Sequence, residues 1–397
     1  MSPFAPLLAS LLALIVAMGV GRFSLTPQLP LLLAEGQFDL TAAGLVAAAN
    51  YLGYLAGALD ALRAGSERRA RARLVGGLWG CVALTVLSAW AHGPWQHAAL
   101  RFAAGVASAW VLVLISAASQ RVALQAGRVR LGGLVFAGPG LGMLLTGLIA
   151  LFSNLIAQGA SALWLLYGGT GLVLAMLAAP ALPAPSPHPA PGTAKGAPAR
   201  GFHALLASYT LVGLGYVIPA TFLSQLASAR FHGSWLADLF WPGYGLMTTA
   251  GVVLACLGRP TPAGTRRWLT WTLWLQGLGA LACLLPGATG LGLGVLLCGA
   301  PYLASMVLTM RHAHALDPDG HGRNIGLLTV GFAAGQLGGP LLAALSSRLA
   351  GGLGLALAGA GVAFFAAGAL VRAGTPRPEP TVPGQVDSTL RPAREGA

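Results

Sequence analysis

Apolar residues run from Leu7 to Leu33 with a single charge inside, Arg22, and runs of similar length recur along most of the chain. About twelve of them are long enough to cross a hydrocarbon core, which takes about 20 helical residues each. They lie at about 7–33, 40–62, 74–91, 97–119, 131–152, 161–179, 203–228, 234–257, 267–286, 288–310, 324–346 and 349–371. The runs are continuous, without the alternation of a lipid-facing strand, so they predict helices and not a barrel. The predicted fold class is an all-α polytopic membrane protein with twelve transmembrane helices in two six-helix bundles.

Composition agrees with this pattern. Only 8% of residues are charged, 56% are hydrophobic and the mean hydropathy is +0.73, whereas soluble chains carry about 25% charged residues. A net charge of +13 could suggest nucleic acid, so the placement of the charges decides. Apart from Arg22 and Arg101, which fall inside spans, nineteen of the remaining twenty-one Lys and Arg residues lie in even-numbered loops and the C-terminal tail, against Arg230 and Arg348 in odd-numbered ones. This is the positive-inside bias, and it predicts a multi-pass membrane protein with both termini cytoplasmic. Anionic lipid headgroups, not nucleic acid, are the partners such charges imply. The N-terminus lacks a positive n-region and its apolar run exceeds an h-region, so the first helix should be retained. The four cysteines, Cys81, Cys256, Cys283 and Cys298, form no CxxC pair, which argues against disulfides and a thiolate metal site.

Residues 180–202 are rich in Pro and Ala and read as an extended cytoplasmic linker. They divide the chain into an N-terminal bundle (1–179), a C-terminal bundle (203–371) and a cytoplasmic tail (372–397) expected to be disordered. The halves echo each other in order. GVGRFSLTP at 19–27 corresponds to GLGYVIPAT at 213–221, GPGLGMLLTG at 138–147 to GQLGGPLLA at 335–343, and Gly53-Tyr54 to Gly243-Tyr244. Repeated bundles of this kind build many secondary transporters, with the substrate site at midplane between the halves.

On the span 1 motif, AANYLGYLAGAL at 48–59, LRFAAGVASAWVLV at 100–113 and LGYVIPATFL at 214–223, the chain resembles the major facilitator superfamily (MFS), and within it the YbfB/YjiJ-like branch. The resemblance covers about residues 7 to 371 and implies a rocker-switch carrier, proton-coupled, in the inner membrane. In the superfamily the loop after span 2 resembles G-x-L-x-D-R-x-G-R-R; here GALDALRAGSERRARAR starts at Gly57, with Asp60 one position early. The resemblance therefore suggests a gating clasp between Asp60 and the arginines of that loop. Arg101 and Gly105 keep an R-x-x-x-G spacing associated with proton-coupled members, and Gly138-Pro139 resembles an antiporter motif.

Arg22 is the strongest candidate for chemistry. At 1.5 Å per residue it lies roughly 3 Å from the bilayer centre, where insertion scales charge about 2.5–3.5 kcal/mol for an arginine. It reads either as an anion anchor offering its fork to a carboxylate or phosphate, or as a structural arginine bonded to backbone carbonyls or to an interhelical side chain. None of the ten acidic residues lies at mid-membrane depth; Asp60 and Asp238, near opposite helix ends, are candidates for gating or coupling. Arg101, roughly 10 Å off the midplane, has a coupling role or snorkels to the outer interface. Helical spacing puts Met18 and Thr26 on the Arg22 face, groups Asn50, Tyr54 and Gly57 on span 2, and pairs Thr221 with Gln225 on span 7. Tyr216 occupies the repeat position of Arg22, and Gln336 completes a sparse polar lining. His203 should face water, Trp90, Trp95, Trp235 and Trp268 suit an aromatic belt, and the loop holding His312, His314, Asp317, Asp319 and His321 reads as solvated and not as a metal site.

The expected function is secondary active transport of a small organic solute, an anionic or zwitterionic metabolite, by alternating access and without a cofactor. The alternatives are an exporter of hydrophobic drugs or metabolites in which Arg22 is structural, and a non-transporting membrane sensor or scaffold. No P-loop is present to drive an ATP pump. The chain has no HExxH and no intramembrane carboxylate pair, so it does not read as an enzyme.

Overall fold

The computed structural model describes residues 3–185, 201–258, 261–317 and 321–374. Most of the expected Pro/Ala-rich linker and nearly all of the expected tail lie outside the described residues, as does Asp319. The first half comprises α1 (Phe4–Ala34), α2 (Leu40–Leu62), α3 (Glu67–Trp90), α4 (Gly93–Gln125), α5 (Arg130–Leu155) and α6 (Ala160–Ala181). The second comprises α7 (Phe202–Arg230), α8 (Trp235–Leu257), α9 (Pro262–Ala282), α10 (Gly287–Leu316), α11 (His321–Ala350) and α12 (Gly354–Ala373). Eleven of these helices are long and apolar enough to cross a membrane. The exception, α9, carries Arg266 and Arg267 in its first turns, and its 21 residues match the length a crossing helix needs.

Several helices outrun their apolar runs. The Ser66 hydroxyl accepts a hydrogen bond from the Arg69 amide at 3.3 Å and starts α3 seven residues before the predicted span, because a capped helix continues outside a hydrocarbon layer as readily as inside it. The Asp39 carboxylate caps α2 in the same way, accepting from the Ala42 amide at 2.7 Å.

The two halves pack alike. A methyl group added at Gly19 in α1 would overlap the Gly142 backbone in α5, and one added at Gly339 in α11 would overlap the Leu214 carbonyl in α7. These are the segments matched between the halves in the sequence. The α2–α4 contact of the first half likewise has its counterpart in the α8–α10 contact of the second. Between halves, α5 lies against α8 and α2 against α11. Large apolar side chains such as Phe152, Leu177, Leu254 and Val362 point outward, and an apolar surface of this extent suits lipid and not water.

Two segments depart from α-helical geometry. Ile15–Phe23 in α1 and Val295–Gly299 in α10 are π-helical, with α-helix resuming on both sides. Such segments leave carbonyls outside the regular ladder and often occur at functional sites. In α1 the Val20 carbonyl accepts from the Ser24 hydroxyl at 2.5 Å and from Thr85 at 3.4 Å, while the Gly21 carbonyl accepts from Arg101 Nη1 at 3.2 Å.

Candidate functional site

Arg22 sits in the π-helical segment of α1, 5% exposed, at the junction of the two halves. Its guanidinium carbon stands 4.0 Å from the centre of the Tyr54 ring and 4.9 Å from that of Tyr51, both on α2. Nη2 donates to the Tyr216 hydroxyl of α7 at 3.2 Å, so the two positions that the repeat makes equivalent touch across the interface. Nε is buried with no hydrogen-bond partner. The partners of this charge are aromatic rings and a phenol, with no carboxylate among them.

Neutral hydroxyls, an amide and aromatic faces surround the guanidinium. Gln336 Nε2 donates to the Tyr216 hydroxyl, and its Oε1 is buried and unpartnered. Tyr51 and Thr221 share a hydrogen bond of 3.0 Å, and the Thr26 hydroxyl donates to the Ala220 carbonyl at 2.9 Å. Tyr216 is stacked between Tyr302, 4.7 Å away at 18°, and Phe332, 5.3 Å away at 9°. A small cleft, with free space of about 10 Å³, is lined by Arg22, Thr26, Asn50, Tyr51 and Thr221, with Phe23, Leu25 and Ala47 as its apolar wall.

Of the residues expected to line a cavity, Arg22, Thr26, Asn50 and Thr221 do so, and Tyr54, Tyr216 and Gln336 stand just behind. Asn50 also donates to the Arg101 carbonyl at 2.7 Å, tying α2 to α4. Gln225 is half-buried and outside the cleft lining. Met18 packs in the hydrophobic core, because the π-helical turn between it and Arg22 shifts the spacing that an α-helix would impose. Gly57 packs against Val106 of α4.

Arg101 does not snorkel. It is fully buried, donating through Nη1 to the Gly21 carbonyl and through Nη2 to Ser88 Oγ at 2.9 Å, with its guanidinium carbon 4.8 Å from the Trp164 ring centre. Its neighbours therefore include the π-helical segment that carries Arg22. Asp60 lies at the basic end of the helices, where Arg73 grips it through Nε at 2.6 Å and Nη2 at 2.8 Å, and Trp110 Nε1 donates at 2.8 Å. Asp238 lies at the far end, accepting from Asn154 Nδ2 of the other half at 2.9 Å. His203 is exposed, as are Trp90, Trp95, Trp235 and Trp268. Among the described residues no group of His, Cys, Asp and Glu could hold a metal.

The sequence reading missed Tyr51, Tyr302 and Phe332. A signal was present: all seven tyrosines are buried and none sits at a span end, where an interfacial belt would put them.

The family model described as "Uncharacterised MFS-type transporter YbfB" matches residues 14–372. No curated protein matches the chain. Among solved structures the chain is similar to one titled "Crystal structure of the human organic anion transporter MFSD10 (TETRAN)", with a TM-score of 0.61 and 17% identity over 94% of this chain and 100% of that one. At that identity the likeness speaks to the fold alone.

Proposed function

The chain belongs to the YbfB family of MFS-type transporters, and we propose that it is a secondary carrier moving a small anionic or zwitterionic organic solute by alternating access. The observation that carries this reading is Arg22: a buried guanidinium between the two halves, with no carboxylate partner and an unpartnered Nε. A buried charge without a counter-ion is costly. An incoming carboxylate would supply that counter-ion and take the open edge of the guanidinium fork.

The basic end is the cytoplasmic side of the bacterial inner membrane, where the arginines meet anionic headgroups. Hydrogen bonds between the halves run from mid-helix to the far end: Arg22 to Tyr216, Thr26 to Ala220, Tyr51 with Thr221, Trp241 to Thr146 and Asn154 to Asp238. These bonds support a closed outer end, while at the basic end α5 still meets α8 at Gly133 and Cys256. Opening outward would exchange these bonds for water while the Asp60–Arg73 clasp holds α2 to α3 within the first half. For proton coupling, Asp238 is the candidate, the one acidic residue among the described hydrogen bonds between halves.

One observation favours the rival exporter of apolar compounds: Arg22 is already stacked on Tyr54 and bonded to Tyr216. A thermal-shift panel of the purified protein against matched anionic, zwitterionic, cationic and neutral metabolites separates the two, with Arg22→Gln measured beside the wild type. Stabilisation by carboxylates in the wild type alone supports the anion carrier. Equal responses of both proteins, or a response to apolar cations only, support the exporter.

A further inference from the structure

We propose that α9 and α12 form a binding site for one anionic phospholipid at the basic end of the molecule, with Arg372 and Arg267 on its headgroup and Trp271 against its chain. The attraction of basic loops for a charged membrane surface is diffuse. This site is built from side chains fixed against one another.

Trp274 of α9 is its base. A methyl group added at Gly368 of α12 would overlap the Trp274 indole, so that glycine makes the seat for the ring. Trp274 Nε1 donates to the Phe365 carbonyl at 3.3 Å, which fixes the ring's orientation. Arg372, in the last turn of α12, turns back along its own helix, and its guanidinium carbon stands 5.3 Å from the centre of the Trp274 ring. An arginine near a helix end ordinarily snorkels towards water. This one is held over an indole by a cation–π contact instead.

The site continues along α9. Trp271 packs its edge on Trp274, with centroids 5.5 Å apart at 84°. Residues 267, 271 and 274 stand at i, i+4 and i+7, so Arg267, Trp271 and Trp274 share one stripe. Seven residues, about 10 Å of helix, separate Arg267 from Trp274, and Arg372 covers the far end of that stretch. Arg267 and Arg372 are exposed, and so is Trp271 at 50%. Leu275 and Leu278 prolong the exposed face beyond the indoles, a strip that suits an acyl chain.

Charge selects the headgroup. Neither α9 nor α12 contains an Asp or Glu, and the ion pair between Arg73 and Asp60 is the sole one among the described residues. Two guanidiniums offer donors only, so the complement is a group of oxygen acceptors with net negative charge. A phosphodiester supplies both. A choline headgroup carries the same phosphate but adds a cation for which neither helix has a carboxylate. Free phosphate would leave the indole and leucine strip uncovered.

The test is native mass spectrometry of the delipidated full-length protein, titrated with dioleoyl phosphatidylglycerol or dioleoyl phosphatidylcholine, which share their chains. The first phosphatidylglycerol should bind at a concentration about tenfold lower than the first phosphatidylcholine. Arg372→Gln should bring the two lipids level, and Arg267→Gln should narrow the gap. Arg68→Gln, which removes an exposed charge from α3 at the same end, should leave the gap unchanged. Equal binding of the two lipids by the wild type overturns the proposal. An equal loss in Arg68→Gln and Arg372→Gln overturns it too, because the attraction would then be diffuse. Displacement of the lipid by an equal concentration of inorganic phosphate would assign the arginines to a free anion and overturn it as well. All three substitutions change exposed side chains, and the wild-type ranking decides even if a variant does not fold.

Discussion

A guanidinium near the middle of a membrane span needs several partners at once, and Arg22 finds only some of them in its own protein. Its stacking on Tyr54 and its bond to Tyr216 offset part of the desolvation cost, while Nε is left open. Hydrogen bonds to a charged group contribute about 1.5–3 kcal/mol each, so Arg22→Gln should weaken binding of a stabilising carboxylate by about 10- to 100-fold, read as a shift in the titration of thermal stabilisation. Arg22→Lys should not restore it, because an ammonium presents no planar fork and stacks poorly on tyrosine; recovery of wild-type affinity by lysine would show that charge alone suffices. Arg22 was legible in the sequence because a charge in an apolar run is a contrast, and Tyr216 because the repeat aligned it. Tyr51 and Tyr302 were legible only through the absence of tyrosines from span ends, and Phe332 not at all, since an aromatic residue inside an apolar run looks the same whether it faces lipid, core or cleft.

At the scale of elements, the π-helical segment Ile15–Phe23 sets the direction in which Arg22 points, and Arg101 reaches from α4 to hold one of its carbonyls. Arg101 is thus a positioning residue in this account. Truncating it to alanine leaves the Gly21 carbonyl without this partner, while Ser88 keeps its bond to the Leu84 carbonyl, and a buried unsatisfied group costs about 1–3 kcal/mol. Arg101→Ala should therefore lower the thermal midpoint of the unliganded protein, whereas Arg22→Gln should lower it less or raise it by removing an uncompensated charge; the reverse order would exchange the two roles. A leucine at Gly142 should prevent α1 and α5 from closing on each other, with loss of the folded monodisperse protein on size-exclusion chromatography. Helix number and order were legible from hydropathy. Helix ends were not, because a cap such as Ser66 extends a helix past the apolar run that signals it. The π-helical register escaped as well: no residue type in a glycine-rich helix announces a change from i→i+4 to i→i+5 bonding. Whether Arg101 snorkelled or turned inward depended on Ser88 and Trp164, which arrive from other helices.

At the scale of the whole molecule, the two halves meet through α2–α11 and α5–α8, and hydrogen bonds between them extend to the far end at Asn154 and Asp238. A carrier that alternates must break that end apart. Cysteines placed at both positions, Asn154→Cys with Asp238→Cys, should be joined by a short thiol cross-linker and should stop solute flux until the link is cut. The four native cysteines are buried, so background labelling should be low. Undiminished flux in the cross-linked protein would mean that the far ends do not separate. The repeat was legible as matched motifs, and its pairing of helices followed once the matched segments were seen to pack against each other. The bond between Asn154 and Asp238 was not legible, since nothing in either span marks the other as its partner.

The central claim, that Arg22 anchors an anion in an alternating carrier, is tested most directly by counterflow in proteoliposomes. Vesicles containing wild-type protein or Arg22→Gln are loaded with a carboxylate that stabilises the wild type and diluted into a trace of the same compound carrying a label. The account predicts transient accumulation of label with the wild type and none above protein-free vesicles with Arg22→Gln. Equal accumulation by both proteins would contradict it.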